Sequence, residues 1–173
     1  WRPAFAIDLR SLALFRIGIG VVVLLVLAHL WPEVPEFYTD EGILPRASRP
    51  MLNVEEAFPG LCWQISPYML TGNATTVRCL FVIQGLVAFG LLIGWKTRWM
   101  AVVTWLLLVG LQARNPVIMT GGDDVLRTML FFGLFLPLGA RWSVDARLRA
   151  RSEPATDLPP DVAHLGTAAF ILQ

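Results

Sequence analysis

The strongest constraint in this sequence is an apolar run from Leu12 to Trp31, which covers 20 residues. As an α-helix this run is about 30 Å long at 1.5 Å per residue, which is enough to cross the hydrocarbon core of a bilayer. A cleaved signal peptide also carries an apolar run, but the residues from Leu27 to Pro32 offer no small-x-small cleavage pattern. We therefore interpret the run as a first membrane span.

Further apolar runs predict the rest of the fold. Three follow the first, at 77–95, 99–115 and 125–140, and the last two are short for a full crossing. A fifth begins at Val162, just after two prolines and an aspartate, which is typical of a helix start. The sequence thus predicts an all-α, polytopic helical membrane protein with four complete transmembrane helices and the start of a fifth. Because the chain stops at Gln173 within this last run, we expect residues 1–173 to be a single membrane domain, the N-terminal part of a longer chain.

Composition and tryptophan positions agree with a membrane protein. The chain is 55% hydrophobic and 16% charged, with a mean hydropathy of +0.60, which is too apolar for an ordinary soluble domain. A net charge of +1 gives no argument for nucleic acid as a partner. Four indole rings fall at the ends of apolar runs, where the headgroup region favours them: Trp31, Trp95, Trp99 and Trp142. Membrane lipid is therefore an expected partner.

Basic residues in the short flanks predict the orientation. They precede the first run, fill the turn between the second and third, and follow the fourth: Arg2, Arg10, Lys96, Arg98, Arg141, Arg147, Arg149 and Arg151. A cytoplasmic N-terminus puts all of them inside. Residues 32–76 then form a long external loop, whose apolar content predicts order, and residues 143–161 form a cytoplasmic linker.

A polar cluster is predicted where the third and fourth runs turn back on the external side. Asn115 precedes Pro116, which favours a helix end, and a Gly-Gly turn leads to Asp123 and Asp124. Either aspartate can cap the fourth helix, and Asp123 shares a helical face with Arg127 at i, i+4 spacing. We predict an ion pair between Asp123 and Arg127.

This cluster has a structural and a functional interpretation. Ionisable groups near a bilayer are costly, so they usually pair or serve a function. As structure, the cluster is a cap and an ion pair that lock two short helices. As function, it is a pocket for an anionic or quinone-like headgroup, or a carboxylate that acts on a proton. The candidate substrate-binding or lipid-binding residues are Arg114, Asn115, Asp123, Asp124 and Arg127.

The remaining polar residues favour structural roles. Arg16 lies inside the first run, and we expect its side chain to snorkel to the cytoplasmic interface, with pairing to Asp8 or to the negative end of another helix as the alternative. His29 and His164 fall on opposite predicted sides of the bilayer, so no metal site is predicted. Cys62 and Cys79 both fall outside, where a disulfide is allowed, although two buried thiols fit the sequence equally well.

Three stretches together resemble a known family. They are 8–20, 37–46 and 113–145, and the last carries Arg-Asn-Pro, Gly-Gly-Asp, Phe-Leu-Pro and Trp-Ser-Val-Asp in that order. The series resembles the horizontally transferred transmembrane (HTTM) domain, the bacterial relatives of vitamin K-dependent gamma-carboxylase. The resemblance implies an integral protein of the bacterial plasma membrane, with a quinone as the cofactor candidate.

The resemblance does not extend to a reaction. The animal carboxylase uses reduced vitamin K, oxygen and carbon dioxide to carboxylate glutamates, and its lysine base would correspond to a position after Gln173. It carries an Asn-Asn-His segment where this chain has Gly121-Gly122-Asp123-Asp124. A hydrogen-bonding partner of the quinone chemistry is thus missing. Carboxylation is not predicted, and catalytic residues stay unassigned.

Two functions remain open. The first is a membrane enzyme or a quinone-binding or lipid-binding protein of this family. Its site would lie between the external loop and residues 114–127, and it requires a lined cavity there. The second is a non-catalytic transmembrane subunit of a larger membrane complex, with other membrane subunits as partners. It requires tightly packed helices without a cavity and large apolar surfaces that face protein.

Overall fold

The computed structural model describes residues 6–47, 66–115, 118–152 and 162–164. Within these ranges the chain is helical apart from two short strands, which agrees with the all-α prediction at this coarse level. The helices are α1 (Leu9–Leu30), α2 (Val34–Phe37), α3 (Pro67–Leu70), α4 (Ala74–Ile93), α5 (Thr97–Arg114), α6 (Gly121–Gly133) and α7 (Val144–Ser152). The strands are β1 (Ala6–Asp8) and β2 (Val162–His164).

Four helices form the body of the molecule. Helix α1 packs on α4, α4 on α5, and α5 on α6. Arg16 in the first half of α1 lies beside Gly94 at the end of α4, while Gln112 near the end of α5 bonds to Asp123 near the start of α6. Neighbouring helices are therefore antiparallel. Their buried side chains share one core, which includes Val23, Phe81, Leu91, Leu108 and Leu130.

Two helices, α1 and α4, are long and apolar enough to cross a membrane. Their 18-residue windows have mean hydropathies of 2.5 and 2.1, yet only 39% and 33% of the residues in those windows are buried. Leu25 on α1 is 63% exposed and Leu86 on α4 is 67% exposed. The core helix of a soluble protein would bury most of such a window, so these outward apolar faces favour lipid contact.

The other predicted spans differ from the structure in length and character. Helix α5 covers the third run but does not reach the hydropathy of α1 and α4, and α6 has only 13 residues. The prediction of a helix to Ala140 is wrong, because α6 ends at Gly133. The residues that follow form turns around Pro137, which cannot donate a backbone hydrogen bond.

The predicted fifth span begins differently as well. Val162–His164 form a strand that pairs antiparallel with Ala6–Asp8, so the prediction of a helix start is wrong for these three residues. Ladder hydrogen bonds to the N-terminal strand satisfy their backbone groups there. Residues 165–173 lie outside the described ranges. The predicted linker at 143–161 contains the helix α7.

One end of the bundle is closed by a buried arginine. Arg16 is 1% exposed, and its guanidinium donates to the carbonyl oxygens of Leu138 at 3.2 Å and Trp142 at 2.7 Å. The expectation that Arg16 snorkels is therefore wrong, because the turn after α6 supplies acceptors inside the protein. Gly94, at φ +76, leaves the space for this side chain, since an added Cβ would lie 2.3 Å from an Arg16 nitrogen.

An aspartate joins the same end to the start of α5. The Asp145 carboxylate accepts hydrogen bonds from the backbone N–H groups of Lys96 and Thr97, each at 2.8 Å, and from the Thr97 hydroxyl at 2.9 Å. The Asp145 N–H in turn donates to the Gly94 carbonyl at 3.1 Å. Asp145 thus caps a helix that lies 48 residues earlier in the chain. We call this region, formed by Arg16, Gly94, Trp142 and Asp145, the closed end.

Candidate functional site

At the opposite end of the bundle, an ion pair fixes the segment that follows α2. The Arg46 guanidinium contacts the Asp40 carboxylate at 2.6 Å and donates to the Met69 carbonyl at 3.1 Å. The hydrogen bond from Arg46 holds the pKa of Asp40 below its ordinary value. This part of the predicted external loop is therefore ordered against α3, as its apolar content suggested.

Arg114 and Asn115 attach the same segment to the end of α5. The Arg114 side chain is fully buried, and its guanidinium donates to the carbonyl oxygens of Leu44 at 3.1 Å and Thr39 at 3.4 Å. It also lies 3.4 Å from the Asp40 carboxylate. The Asn115 amide donates to the Phe37 carbonyl at 3.0 Å. Arg114 thus serves as a brace for the loop and does not line the cavity described below.

The aspartates at the start of α6 have separate roles. Asp123 accepts from the Thr120 backbone N–H at 2.8 Å and from its hydroxyl at 2.9 Å, which makes a capping box. Arg127 pairs with Asp124 at 2.6 Å, an i, i+3 contact. The predicted pair of Asp123 with Arg127 is therefore wrong. Asp123 is turned towards Thr120, which leaves the more exposed Asp124 as the partner.

A cavity of about 430 Å³ lies between α1, the segment after α2, the end of α5 and the start of α6. Its walls are mostly apolar and come from Val22, Leu25, Val26, Leu30, Leu108, Leu111, Ile118 and Met119. Its polar lining residues are His29, Glu33, Tyr38, Gln112, Asn115, Thr120 and Asp123. An apolar pocket with a few convergent polar groups has the composition of a small-molecule site.

The predicted site residues divide between the cavity and its surroundings. Asn115 and Asp123 line the cavity, whereas Arg114, Asp124 and Arg127 do not. The sequence analysis missed five of the polar lining residues: His29, Glu33, Tyr38, Gln112 and Thr120. The i, i+4 spacing of His29 and Glu33 at the C-terminal end of the first run could have indicated a shared face.

Two buried polar side chains in the cavity wall lack a complete set of hydrogen bonds. Tyr38 is 3% exposed, and burial, together with the negative charges of Asp123 and Glu33, raises the pKa of its hydroxyl. No described residue exchanges a hydrogen bond with that hydroxyl. The Gln112 amide donates to the Asp123 carbonyl at 3.0 Å, while its Oε1 is buried without a partner in the described ranges. Such groups are costly unless something else satisfies them.

Other predicted features lie elsewhere or outside the described residues. Cys79 is exposed on α4 and Cys62 lies outside the described ranges, so the disulfide stays a prediction. Among the described residues, no three His, Cys, Asp or Glu side chains converge on a metal position.

No family model, curated protein or solved structure matches this chain. Its function is therefore argued from the geometry of the cavity and from the surfaces of the helices.

Proposed function

We propose that the protein is an integral membrane protein of the HTTM family that binds a quinone or another membrane lipid in this cavity. The proposed topology has a cytoplasmic N-terminus and four membrane-crossing segments in a bacterial plasma membrane, of which the fourth consists of α6 together with the turns that follow it to Trp142. The cavity then opens at the external side. No reaction is assigned, because the polar groups of the cavity do not form a recognisable catalytic set.

The outward faces of the helices support the membrane placement. Leu25 and Leu86 are more than 60% exposed in helices that pass the length and hydropathy of a span. Tryptophans at the helix ends are also exposed, by 44% to 69%: Trp31, Trp95, Trp99 and Trp142. Exposed indole rings at the ends of apolar helices support a position at the headgroup level of a bilayer, with Trp31 at one end and the other three at the closed end.

The cavity is the observation that carries the ligand proposal. Its volume of about 430 Å³ lies in the range of small-molecule pockets. Apolar walls suit an acyl or isoprenoid chain, and the polar groups His29, Glu33, Tyr38 and Asp123 suit a headgroup that forms hydrogen bonds. Val22 and Leu25 line the cavity and are also exposed on α1, so a chain could pass from the lipid phase into it.

A second function, that of a non-catalytic transmembrane subunit of a larger membrane complex, has support from a different surface. Helix α6 is too short to span a bilayer alone and exposes Val125, Met129 and Phe132. A neighbouring subunit would cover such a face. The cavity disfavours this alternative as a full account, since a helix that only fills a seam needs no lined space.

The test is to identify what the purified protein retains. The full chain is extracted in mild detergent, stripped of loosely bound lipid, and its remaining apolar ligand is quantified by mass spectrometry. We expect one quinone, quinol or lipid species to be enriched over the bulk membrane extract. Val26→Trp, which fills the cavity from α1, is expected to lower the retained amount about tenfold or more.

Val21→Trp is the matched control. Val21 is the same residue type on the same helix, is 40% exposed and does not line the cavity. Equal retention by both variants, at equal thermal stability, would contradict the cavity as the site. A wild-type protein with no enriched ligand, in stoichiometric complex with other membrane proteins, would favour the subunit function instead.

A further inference from the structure

The charges in the cavity wall are carboxylates. Among the described residues, Glu33 and Asp123 line the cavity and no arginine or lysine does. Arg114 is nearby, but its guanidinium bonds to the 37–46 segment and lies 3.4 Å from the Asp40 carboxylate. Within the described ranges, His29 is the lining residue whose side chain has a basic nitrogen. At neutral pH the wall therefore offers an electrostatic environment that is negative or close to neutral.

Acceptors also outnumber donors among the lining groups. The Thr120 hydroxyl donates its proton to the Asp123 carboxylate, so towards any other partner it can act only as an acceptor. The Gln112 Oε1 has no partner in the described part of the chain. The Glu33 carboxylate accepts no bond from a described residue. Tyr38 is the one hydroxyl of the wall whose proton is not already used within the described ranges.

We infer that the cavity selects amphiphiles whose headgroup is uncharged and donates hydrogen bonds, and that it disfavours anionic headgroups. This inference rests on the proposed function and specifies its ligand class. A hydroxylated headgroup can donate hydrogen bonds to the Glu33 carboxylate and the Gln112 Oε1 and accept one from the Tyr38 hydroxyl. All three polar groups would then have a partner. A phosphate or carboxylate would face like charges at short range in a site of reduced dielectric. Of the headgroups suggested by the sequence, the anionic one is thereby set aside, and a quinone fits only in its reduced, hydroxyl-bearing form, because the oxidised ring has no donor.

Three probes with one acyl chain separate the contributions of charge and hydrogen bonding. Monolaurin has an uncharged headgroup with two hydroxyl donors, and lauroyl lysophosphatidic acid is the same molecule with one hydroxyl phosphorylated. Methyl laurate is uncharged and has no donor. Each is titrated into the purified full chain in detergent at about pH 8. We expect monolaurin to bind about tenfold or more tightly than the phosphate, with methyl laurate in between.

Glu33→Gln tests the role of charge without removing a helix cap. Glu33 precedes α2 but makes no capping hydrogen bond with its side chain, so the substitution leaves the local backbone bonds intact. We expect the variant to reduce the preference for monolaurin over the phosphate about threefold or more. Glu36→Gln is the control, because Glu36 is an exposed carboxylate on the same short helix and does not line the cavity.

The outcomes distinguish this inference from the proposed function. Equal affinities for monolaurin and the phosphate, or equal effects of Glu33→Gln and Glu36→Gln, would overturn the selectivity while the site itself stands. If Val26→Trp leaves the binding of all three probes unchanged, the cavity is not a binding site and both proposals fail. Both proposals are supported if monolaurin binds more tightly than the phosphate, if Val26→Trp abolishes this binding, and if Glu33→Gln reduces the preference for monolaurin over the phosphate.

Discussion

The two ends of the bundle treat their polar groups differently. At the closed end, Arg16 and Asp145 bond directly to backbone groups from distant parts of the chain, and of the Arg16 guanidinium only Nε lacks a partner among the described residues. At the cavity end, Glu33 and the Tyr38 hydroxyl have no described partner, and Gln112 is only half satisfied. Both ends carry charge at low exposure, so burial alone does not separate a structural site from a functional one.

The comparison suggests a rule for this fold. Where a buried ionisable group is satisfied by carbonyl oxygens or N–H groups, its contribution is to stability, and its removal should leave ligand binding unchanged. Where a polar group of the cavity wall lacks a partner, a ligand that bonds to it removes an energetic cost, and its removal should weaken binding. The predictions below test this division, starting with the largest expected effect.

Arg16→Gln should cause the largest loss of stability. The shorter side chain cannot reach both the Leu138 and Trp142 carbonyls, and two buried acceptors lose a charged donor, which costs about 3 kcal/mol. Thermal unfolding in detergent measures the loss. Arg10→Gln, at an exposed position of the same helix, should change the midpoint little. If Arg16→Gln binds monolaurin more weakly at temperatures where it stays folded, the assignment of stability to the closed end and ligand binding to the cavity end is wrong.

Asp145→Ala should rank second. The substitution removes an acceptor from the first N–H groups of α5, as in the loss of a helix cap, which costs about 1 to 2 kcal/mol. Asp124→Ala is the control, because its exposed pair with Arg127 should contribute less than about 1 kcal/mol. Equal unfolding midpoints for the two variants would show that Asp145 is not a cap that the fold depends on.

Asp40 should give the cavity end a sensitivity to acid. Its pKa is lowered in the folded state by Arg46, so its stabilising effect is complete above the unfolded value, about 3.9, and is lost as the pH falls below it towards the folded value. We expect the wild-type unfolding midpoint to fall more steeply between about pH 5 and pH 3 than that of Asp40→Asn. Parallel curves would indicate that the ion pair contributes nothing to stability. This is the chief competing outcome, because the Asp40–Arg46 pair is partly exposed to solvent.

Two buried tyrosines provide the most specific comparison. The Tyr68 hydroxyl donates to Gln84 inside the core, so Tyr68→Phe should cost about 1 to 2 kcal/mol and leave monolaurin binding intact. Tyr38→Phe removes a hydroxyl without a described partner and should change stability by less than about 0.5 kcal/mol. It should weaken monolaurin binding several-fold. The reverse pattern, with Tyr38→Phe unstable and binding unchanged, would contradict the role of the cavity.

Local patterns predicted the helices well and their ends less well. The runs that became α1, α4 and α5 are visible because apolar residues continue for more than four turns. The end of α6 was missed because Leu134 to Leu138 are as apolar as the helix before them. What ends the helix is a turn that includes Pro137 and presents the Leu138 carbonyl to Arg16, a contact 122 residues apart in the chain.

The candidate site was predicted in part for the same reason. Asn115 and Asp123 mark helix ends next to each other in the sequence, so they could be placed together. The groups from α1 and its loop, such as His29 and Tyr38, come from positions more than 70 residues earlier. Their meeting with α5 depends on how three helices pack, which no local spacing encodes. The choice between Asp123 and Asp124 as partner of Arg127 depended on the capping box, a detail of one turn.

The closed end has a consequence for how the protein is made. In the proposed topology α1 enters the bilayer while the acceptors of Arg16 are still to be synthesised, since Leu138 and Trp142 leave the ribosome more than 100 residues later. During that interval the guanidinium can form hydrogen bonds only with water and with phosphate headgroups at the nearby interface. Insertion and final folding are thus separate stages for this helix. A newly inserted α1 should sit at a different depth from the mature one until the turn after α6 arrives.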